Sequence, residues 1–434
     1  MIHLTSASQL RAPARINILG EHIDYVSYLP TASLTFGSRE HAMIMSFHAR
    51  ADREVHGIST NEDYEPFVFT IEDQASLACS TELENAWLSH LSSQRANAPQ
   101  WASYVRGAVA YAQLKYGSRI DCGFDFLVDS GIPACGGASS SSALTVLAGA
   151  AVRLVNQITW DPEELARDSA RAEWFSGTRG GAMDHLTICL ARRDQALYVR
   201  YADAACGHVA LPLSNVRWVT FFSHPADKGR AVMLEYNKRV AVAQIIIPSL
   251  LSSTLDVDEL PETITLDEFA REQPEAMEKC RQAFPELTRE SPSQQLRVRD
   301  RARHHLGEVV RVKKALDLLR APSAWENGAA KYGLGELLNE AHISLRDLYE
   351  VSTNEVEHLR DIIIASPGVY GARLMGGGFG GNVLALVEVG AAAELIARVQ
   401  AEYYGPARRQ AMIEGAIMVS TAGHGLSLNN EPMV

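Results

Sequence analysis

Apolar Phe124, Phe126 and Val128 alternate with Asp125 and Asp129, a period of two that predicts a half-buried strand. A Gly/Pro turn over 131–137 follows, then four serines, Ser139 to Ser142, and the apolar, Ala-rich run Ala143 to Val155. That order predicts strand, glycine-rich loop, helix. Asp161-Pro162 supplies a cap followed by proline in the first turn, so a helix is expected to run toward Phe175. WVTFFS (218–223) predicts a buried strand, and a helix is expected from about Val232 to about Ile247. The acidic segment 254–268 is expected to be a surface loop. Residues 301–320 and 330–363 have helical character. GNVLALVEVG (381–390) predicts a strand entered from a glycine-rich turn, and GAIMVSTA (415–422) a closing one. Strands and helices mixed without strict alternation point to α+β layers rather than a doubly wound sheet. There is no internal repeat and no low-complexity tract. The 434 residues suffice for two domains with their own cores, and a boundary near 210 divides the chain into 1–210 and 211–434.

Charge narrows the function classes. The net charge of −12 argues against a large nucleic-acid footprint, which needs clustered basic groups. It does not exclude a nucleotide, because a phosphate site can be built from backbone N–H groups and one or two cations. The six cysteines, at 79, 122, 135, 189, 206 and 280, form no C-x-x-C pair, so neither a zinc site nor a redox motif is suggested. The start, MIHLTSASQLRAPARIN, lacks the apolar run of a signal peptide, and no stretch approaches the roughly 18 apolar residues of a spanning helix. The expectation is a reduced, cytoplasmic protein with neither a membrane nor a nucleic-acid partner.

Four segments carry candidate chemistry. GIPACGGASSSSAL (131–144) has small residues that let backbone approach a polyphosphate, followed by a helix N-terminus that aims free N–H groups and a positive dipole end at it. Its serine hydroxyls can also ligate Mg²⁺. No Lys follows the glycines, so this is not the common G-x-x-x-x-G-K-[ST] loop. APARINILGEHIDY (12–25) packs Arg15, Glu21, His22 and Asp24 among apolar residues that can bury, which suits a polyhydroxylated ligand. GTRGGAMDH (177–185) places Asp184 after two glycines, where a carboxylate could orient or deprotonate an attacking hydroxyl. RLMGGGFGGN (373–382) has five glycines around Phe379, a loop that permits positive φ and close packing against another loop or a ligand. Each segment alone has a structural explanation as a turn, a cap or a solvated loop.

In this order the four segments resemble the GHMP kinases, and within them the galactokinases. The family's P-G-R-x-N-L-I-G-E-H-T-D-Y corresponds to Pro13 through Tyr25, P-x-G-x-G-L-S-S-S-A to PACGGASSSS, C-G-x-M-D-Q to GGAMDH, and G-G-G-F-G-G to residues 376–381. Weaker matches, among them WASYVRG, AEWFSG, EYNKR, RARHHLGEVVRV and SLRDLYEVS, make the likeness collinear over nearly the whole chain. The resemblance implies a two-domain α+β fold, with an N-terminal lobe like ribosomal protein S5 domain 2, an α/β-sandwich C-terminal lobe and the active site between them. It also implies phosphoryl transfer from ATP, with Mg²⁺, to the anomeric hydroxyl of galactose or a galacto-configured sugar. By position, Asp184 and Arg15 match the catalytic pair. Glu21, His22, Asp24, Gly181 and Tyr236 match the sugar contacts. Trp101 matches a residue near the adenine, Gly136, Gly137, Ser139, Ser140 and Ser141 the nucleotide site, and Ser140 and Glu173 the Mg²⁺ ligands.

The departures fall around the sugar. Only Val26-Ser27-Tyr28 separates Asp24-Tyr25 from Leu29-Pro30, two residues fewer than in the family pattern. Ala14 stands for a glycine, Gly180 for a cysteine, Cys135 for a glycine, His185 for a glutamine and Asn382 for a cysteine. A modified sugar, such as galacturonate or a longer-chain biosynthetic sugar, is therefore the alternative substrate, with Arg179 or Lys228 as the cation for a carboxylate. A non-catalytic sugar sensor is the alternative class, and intact Arg15, Asp184 and Ser139 to Ser141 weigh against it.

Overall fold

A computed structural model of the chain describes residues 8–72, 83–93, 101–133, 137–211, 215–225, 229–251, 256–290, 293–326, 328–405 and 415–433. The strands, in chain order, are β1 (Ser8–Leu19), β2 (Ala32–Ala49), β3 (Glu54–Ser59), β4 (Phe67–Thr70), β5 (Phe124–Ser130), β6 (Gln195–Arg200), β7 (Cys206–Ala210), β8 (Val216–Phe222), β9 (Thr263–Ile264), β10 (Leu296–Arg297), β11 (Val369–Met375), β12 (Asn382–Glu388), β13 (Ile417–Ser420), β14 (Ser427–Leu428) and β15 (Glu431–Pro432). They form a nine-stranded sheet in the order β15-β14-β1-β2-β5-β3-β4, with β6 and then β7 branching from β2. The branch exists because β2 is 18 residues long: Ala32–Thr35 pairs with β6, and Met43–Ala49 pairs with β5. A four-stranded antiparallel sheet, β11-β12-β8-β13, stands apart, and β9 and β10 form a short ribbon.

Three apolar cores hold these layers. The first packs the nine-stranded sheet against the helices Trp101–Tyr116, Ser140–Val155 and Pro162–Glu173 and continues to the helices Val298–Leu319 and Ala329–Asp347 and the four-stranded sheet. The apolar stripe of Ser140–Val155 (Ala143, Leu144, Leu147, Ala148, Ala151) is fully or almost fully buried there, as its Ala-rich sequence requires. Asp161 caps the next helix by accepting from the N–H groups of Glu163 and Glu164, with Pro162 in its first turn. The second core joins Ile23, Tyr25, Val26 and Leu29 to residues between 240 and 302. The third packs the four-stranded sheet against the helices Asn354–Ile364 and Ala392–Val399.

Three expectations need correction. The segment 254–268 is not simply a surface loop. Among its described residues Val257, Leu260, Ile264 and Leu266 are buried in the second core, and Thr265 begins the helix Leu266–Glu272 with a reciprocal capping box. Apolar residues two to four positions apart held that signal beneath the acidic ones. The helical stretch 330–363 is two helices, Ala329–Asp347 and Asn354–Ile364, the second capped by Thr353. The helix after 232 also departs from regularity, running Arg230–Ala241 and then into a π-turn at Val242–Ile246. No helix among the described residues is long and apolar enough to cross a membrane.

Candidate active site

A cavity of about 240 Å³ opens where the loops after β1, β5 and β11 meet the start of the helix Met183–Leu190. Register shifts in the pairing of β1 with β2, between Pro13 and Arg15 and again between Asn17 and Leu19, re-aim the side chains that β1 delivers to it. Arg15 is 3% exposed. Its Nε donates to Asp184 Oδ1 at 2.6 Å and its Nη1 to the Gly137 carbonyl at 3.2 Å. Asp184 lies in the first turn of its helix, and its other oxygen, Oδ2, accepts from the Ser139 hydroxyl. Burial alone would push the Asp184 carboxyl up. The charge and hydrogen bond of Arg15, with the Ser139 hydroxyl, hold it below the ordinary carboxylate range. Burial would likewise lower Arg15, but Asp184 and Glu21 raise it, so the pair stays ionised.

The serine loop and the third glycine loop are packed back to back. Gly137 has φ 72°, and a Cβ there would meet the Met375 carbonyl at 2.7 Å. Gly376 has φ 95°, and its Cβ would lie 2.9 Å from Gly137 Cα. Side chains are excluded from both faces, which leaves bare backbone at the cavity wall. Ser139, also left-handed with φ 64°, begins the helix Ser140–Val155, whose first N–H groups have no intrahelical partners. Ser139, Ser140, Ser141 and Ser142 all line the cavity, and Gly136 lies outside the described residues. Glu173, at the end of its helix, accepts from Ser142 Oγ at 2.8 Å, and Ser142 also reaches Asp184 Oδ2 at 3.5 Å. His185 Nε2 lies 2.8 Å from Glu173 Oε2. Burial would raise the Glu173 carboxyl, but His185, Ser141 and Ser142 hold it below its ordinary value.

On the opposite side, Asp24 accepts from the Met183 N–H at 3.1 Å. Gly181 is required there, since any Cβ would come within 2.4 Å of Asp24 Oδ2. Burial and the neighbouring Asp184 and Glu21 carboxylates push the Asp24 carboxyl up to about 7 against the pull of the Met183 N–H. An acid raised this way costs the folded state stability as pH climbs from its unfolded value near 4 to about 7, and the full cost is present above that. Asp24→Asn is therefore expected to stabilise the protein at pH 8, by on the order of 2 kcal/mol, and to have little effect at pH 4. Urea unfolding at the two pH values measures this. An equal change at both would remove the ionisation argument.

The remaining expected residues are placed unevenly. His22 and Tyr236 line the cavity with ring centroids 5.7 Å apart. Glu21 also lines it, but its Oε2 accepts from both terminal nitrogens of Arg373, each at 3.1 Å, and from the Gly376 N–H at 2.9 Å. Trp101 is not among the lining residues: its Nε1 donates to the Glu65 carbonyl at 2.9 Å and its ring packs edge-on against Phe67 and Phe126. Tyr104, on the same helix, lines the cavity instead. Arg179 is not among the lining residues; its guanidinium stacks over Trp174, and burial lowers it to about 10. Lys228 lies outside the described residues.

Several contributors were not singled out from the sequence. Arg373, fully buried, also donates to the carbonyls of Asn17, Ile18 and Leu374, tying the end of β1 to β11. Glu308, fully buried and paired with Arg311, accepts from the N–H groups of Gly20 and Glu21. Both lie inside the motifs RLMGGGFGGN and RARHHLGEVVRV, where Arg373 is the one charge and Glu308 the one acid, and that was the available signal.

Sequence and structure comparisons place relatives beside this geometry. The profile of the GHMP kinases N terminal domain matches residues 103–192, that of the GHMP kinases C terminal matches 330–405, and a galactokinase galactose-binding signature matches 6–32. The chain is 32% identical over 422 residues to a galactokinase of Chloroflexus aggregans, covering 96% of this chain and 92% of that one. It is 29% identical over 405 residues to a galactokinase of Bos taurus, covering 91% and 88%. Among solved structures, Lactococcus lactis galactokinase complexed with galactose superposes with a TM-score of 0.71 at 23% identity, covering 98% of this chain and 95% of that one. L. major mevalonate kinase in complex with R-mevalonate superposes at 0.54 and 14% identity, covering 98% and 99%.

Proposed function

Because the chain belongs to the galactokinase family, within the GHMP kinases, we propose that it transfers the γ-phosphoryl group of ATP to the anomeric hydroxyl of galactose. The observation that carries this is the ionised Arg15–Asp184 pair, fixed by Ser139 on the wall between a bare-backbone loop and a polar recess. Phosphoryl transfer asks little covalent work of the protein, so positioning and charge stabilisation dominate. Asp184 orients the 1-hydroxyl and accepts its proton as the new O–P bond forms. Arg15 keeps Asp184 ionised and offsets charge as it builds on the transferring group. His22, Asp24 and Tyr236 hold the remaining hydroxyls. Gly137 and the start of the helix at Ser140 receive the phosphates through backbone N–H groups.

The donor set suits Mg²⁺, a hard cation that favours oxygen ligands and keeps several waters. Ser140 and Glu173 would supply protein oxygens to it. When bound, Mg²⁺ neutralises charge on the phosphates. Glu173→Ala is expected to raise the Mg²⁺ concentration needed for half-maximal turnover and to lower turnover at saturation. An unchanged Mg²⁺ titration would remove Glu173 from the metal.

Galactose is preferred to an anionic or extended sugar. The shortened segment is packed into the second core rather than along the cavity wall: Val26 and Leu29 are buried there, Tyr28 bonds to His305, and none of the three lines the cavity. A coupled ADP-release assay over galactose, galacturonate, arabinose, glucose and mannose tests the reading. Galactose is expected to be the best substrate, and faster turnover of glucose or mannose would overturn the galacto-configured reading. Absence of ADP release with every sugar in the panel would point to the non-catalytic alternative.

A further inference from the structure

Five side chains form an unbroken hydrogen-bonded chain behind the sugar-binding wall. His22 Nδ1 lies 2.8 Å from the Tyr25 hydroxyl, which lies 3.1 Å from the Tyr349 hydroxyl. Tyr349 in turn lies 3.2 Å from His305 Nε2, and His305 Nδ1 lies 2.7 Å from the Tyr28 hydroxyl. Tyr349 and His305 are fully buried, His22 and Tyr25 nearly so, and Tyr28 is half-buried. The His22 ring lines the cavity, and its Nε2 is buried with no partner in the protein. Tyr28 and His305 do not line the cavity.

Burial pushes both imidazoles well below their ordinary value, and His304 and Arg301 reinforce this at both rings. Each ring is therefore neutral near pH 7 and carries one N–H, and each phenol has one hydrogen to give. With those counts only two arrangements complete all four bonds and also give every phenol hydrogen an acceptor. In one, both histidines carry the hydrogen on Nδ1, the bonds run from His22 outward, and Tyr28 donates to water. In the other, both carry it on Nε2, and every bond runs inward from Tyr28. A mixed pair leaves either a buried tyrosine hydrogen without an acceptor in the chain or the Tyr25–Tyr349 link without a hydrogen. Toward the cavity, the first arrangement shows the bare lone pair of His22 Nε2, and the second shows an N–H.

We propose that Tyr28 and His305 are positioning residues that set, through this chain, whether His22 offers the sugar a lone pair or an N–H. The inference rests on the reading that His22 contacts the sugar. A buried N–H without a partner is rarer in proteins than a buried acceptor without one. The outward arrangement is therefore favoured in the free protein, and a galactose hydroxyl donates into His22 Nε2. His304 cannot join in. Its Nε2 lies 3.1 Å from the Glu21 carbonyl, which only accepts, so that hydrogen is fixed, and its Nδ1 takes the Ser344 hydroxyl at 2.8 Å. Tyr28 is one of the three residues left in the shortened segment, and His305 stands in RARHHLGEVVRV. Tyr28, from the shortened segment, thus acts on the His22 face of the cavity without lining the cavity itself.

The test is ¹⁵N magnetic resonance of protein labelled at histidine, with His22 and His305 assigned by the signals lost in His22→Gln and His305→Gln, and His304 as an internal Nε2–H reference. Both rings are expected to be Nδ1–H in the free protein and to remain alike with galactose bound. One ring protonated on Nδ1 and the other on Nε2, in either state, overturns the proposal. Tyr28→Phe then removes one hydroxyl outside the cavity. It is expected to raise the galactose KM by about two- to tenfold, the worth of one directed hydrogen bond, with kcat and the ATP KM within about twofold. An unchanged galactose KM overturns the coupling. If the wild-type protein phosphorylates no galactose while the two rings stay alike, the functional reading fails and the chain of bonds stands.

Discussion

Asp184→Asn is expected to lower kcat by roughly 10²–10⁴-fold, the range typical of a lost general base. The substitution keeps the shape of the side chain but removes its charge and its second acceptor. Arg15 and Ser139 both donate to the Asp184 carboxylate, so an amide must turn its NH₂ toward one of these two donors. Arg15, 3% exposed, then loses its partner charge as well. Galactose should still bind, because His22, Asp24 and Tyr236 are untouched, and its dissociation constant is expected to stay within a few-fold of wild type. Steady-state kinetics with saturating ATP, together with calorimetric sugar binding, separate the two quantities. A kcat within about threefold of wild type would sink the assignment.

Glu21→Ala is expected to unfold the protein more readily, by roughly 3–5 kcal/mol, because it leaves a buried cation without its counter-charge. Arg373 has no exposure, and Glu21 is its one carboxylate partner among the described residues. The backbone carbonyls of Asn17, Ile18 and Leu374 still accept from it, but none carries a full charge. Glu21→Gln should lose less, since the amide oxygen can still accept from Arg373 and the Gly376 N–H. Urea unfolding followed by far-ultraviolet circular dichroism measures both variants. A loss under about 1 kcal/mol, with only the galactose KM altered, would return Glu21 to direct sugar contact.

Local patterns made much of the fold legible. The alternation at Phe124–Val128, the serine-then-alanine run after Ser139 and the Asp161-Pro162 cap each depend on neighbours in sequence, and each element lies within a residue or two of its expected place. The motif order placed Arg15, Ser139 and Asp184 together on paper, and the structure brings them within hydrogen-bond distance. What sequence could not show was the outcome of long-range competition. The Glu21 carboxylate points to Arg373, 352 residues away, which no local pattern specifies. Trp101 sits in a plausible motif, yet Phe67 and Phe126 claim its ring. The buried stripe at Val257–Leu266 was hidden because acidic residues raise the polarity of a segment whose apolar positions are spaced for a core.

The pairing of β1 with β14 has a consequence in time. Leu10 lies opposite Leu428, and Arg11 opposite Ser427, so one edge of the strand that carries Arg15 is closed by residues more than four hundred positions along. A ribosome adding about 5–20 residues per second takes roughly 20–80 s to cover that separation. For that interval β1 has a free edge, the kind of surface on which nascent chains pair wrongly with one another. The stretch of β1 that pairs with β14 lies just upstream of Arg15, so the reacting centre is among the parts of the molecule that wait longest for their support.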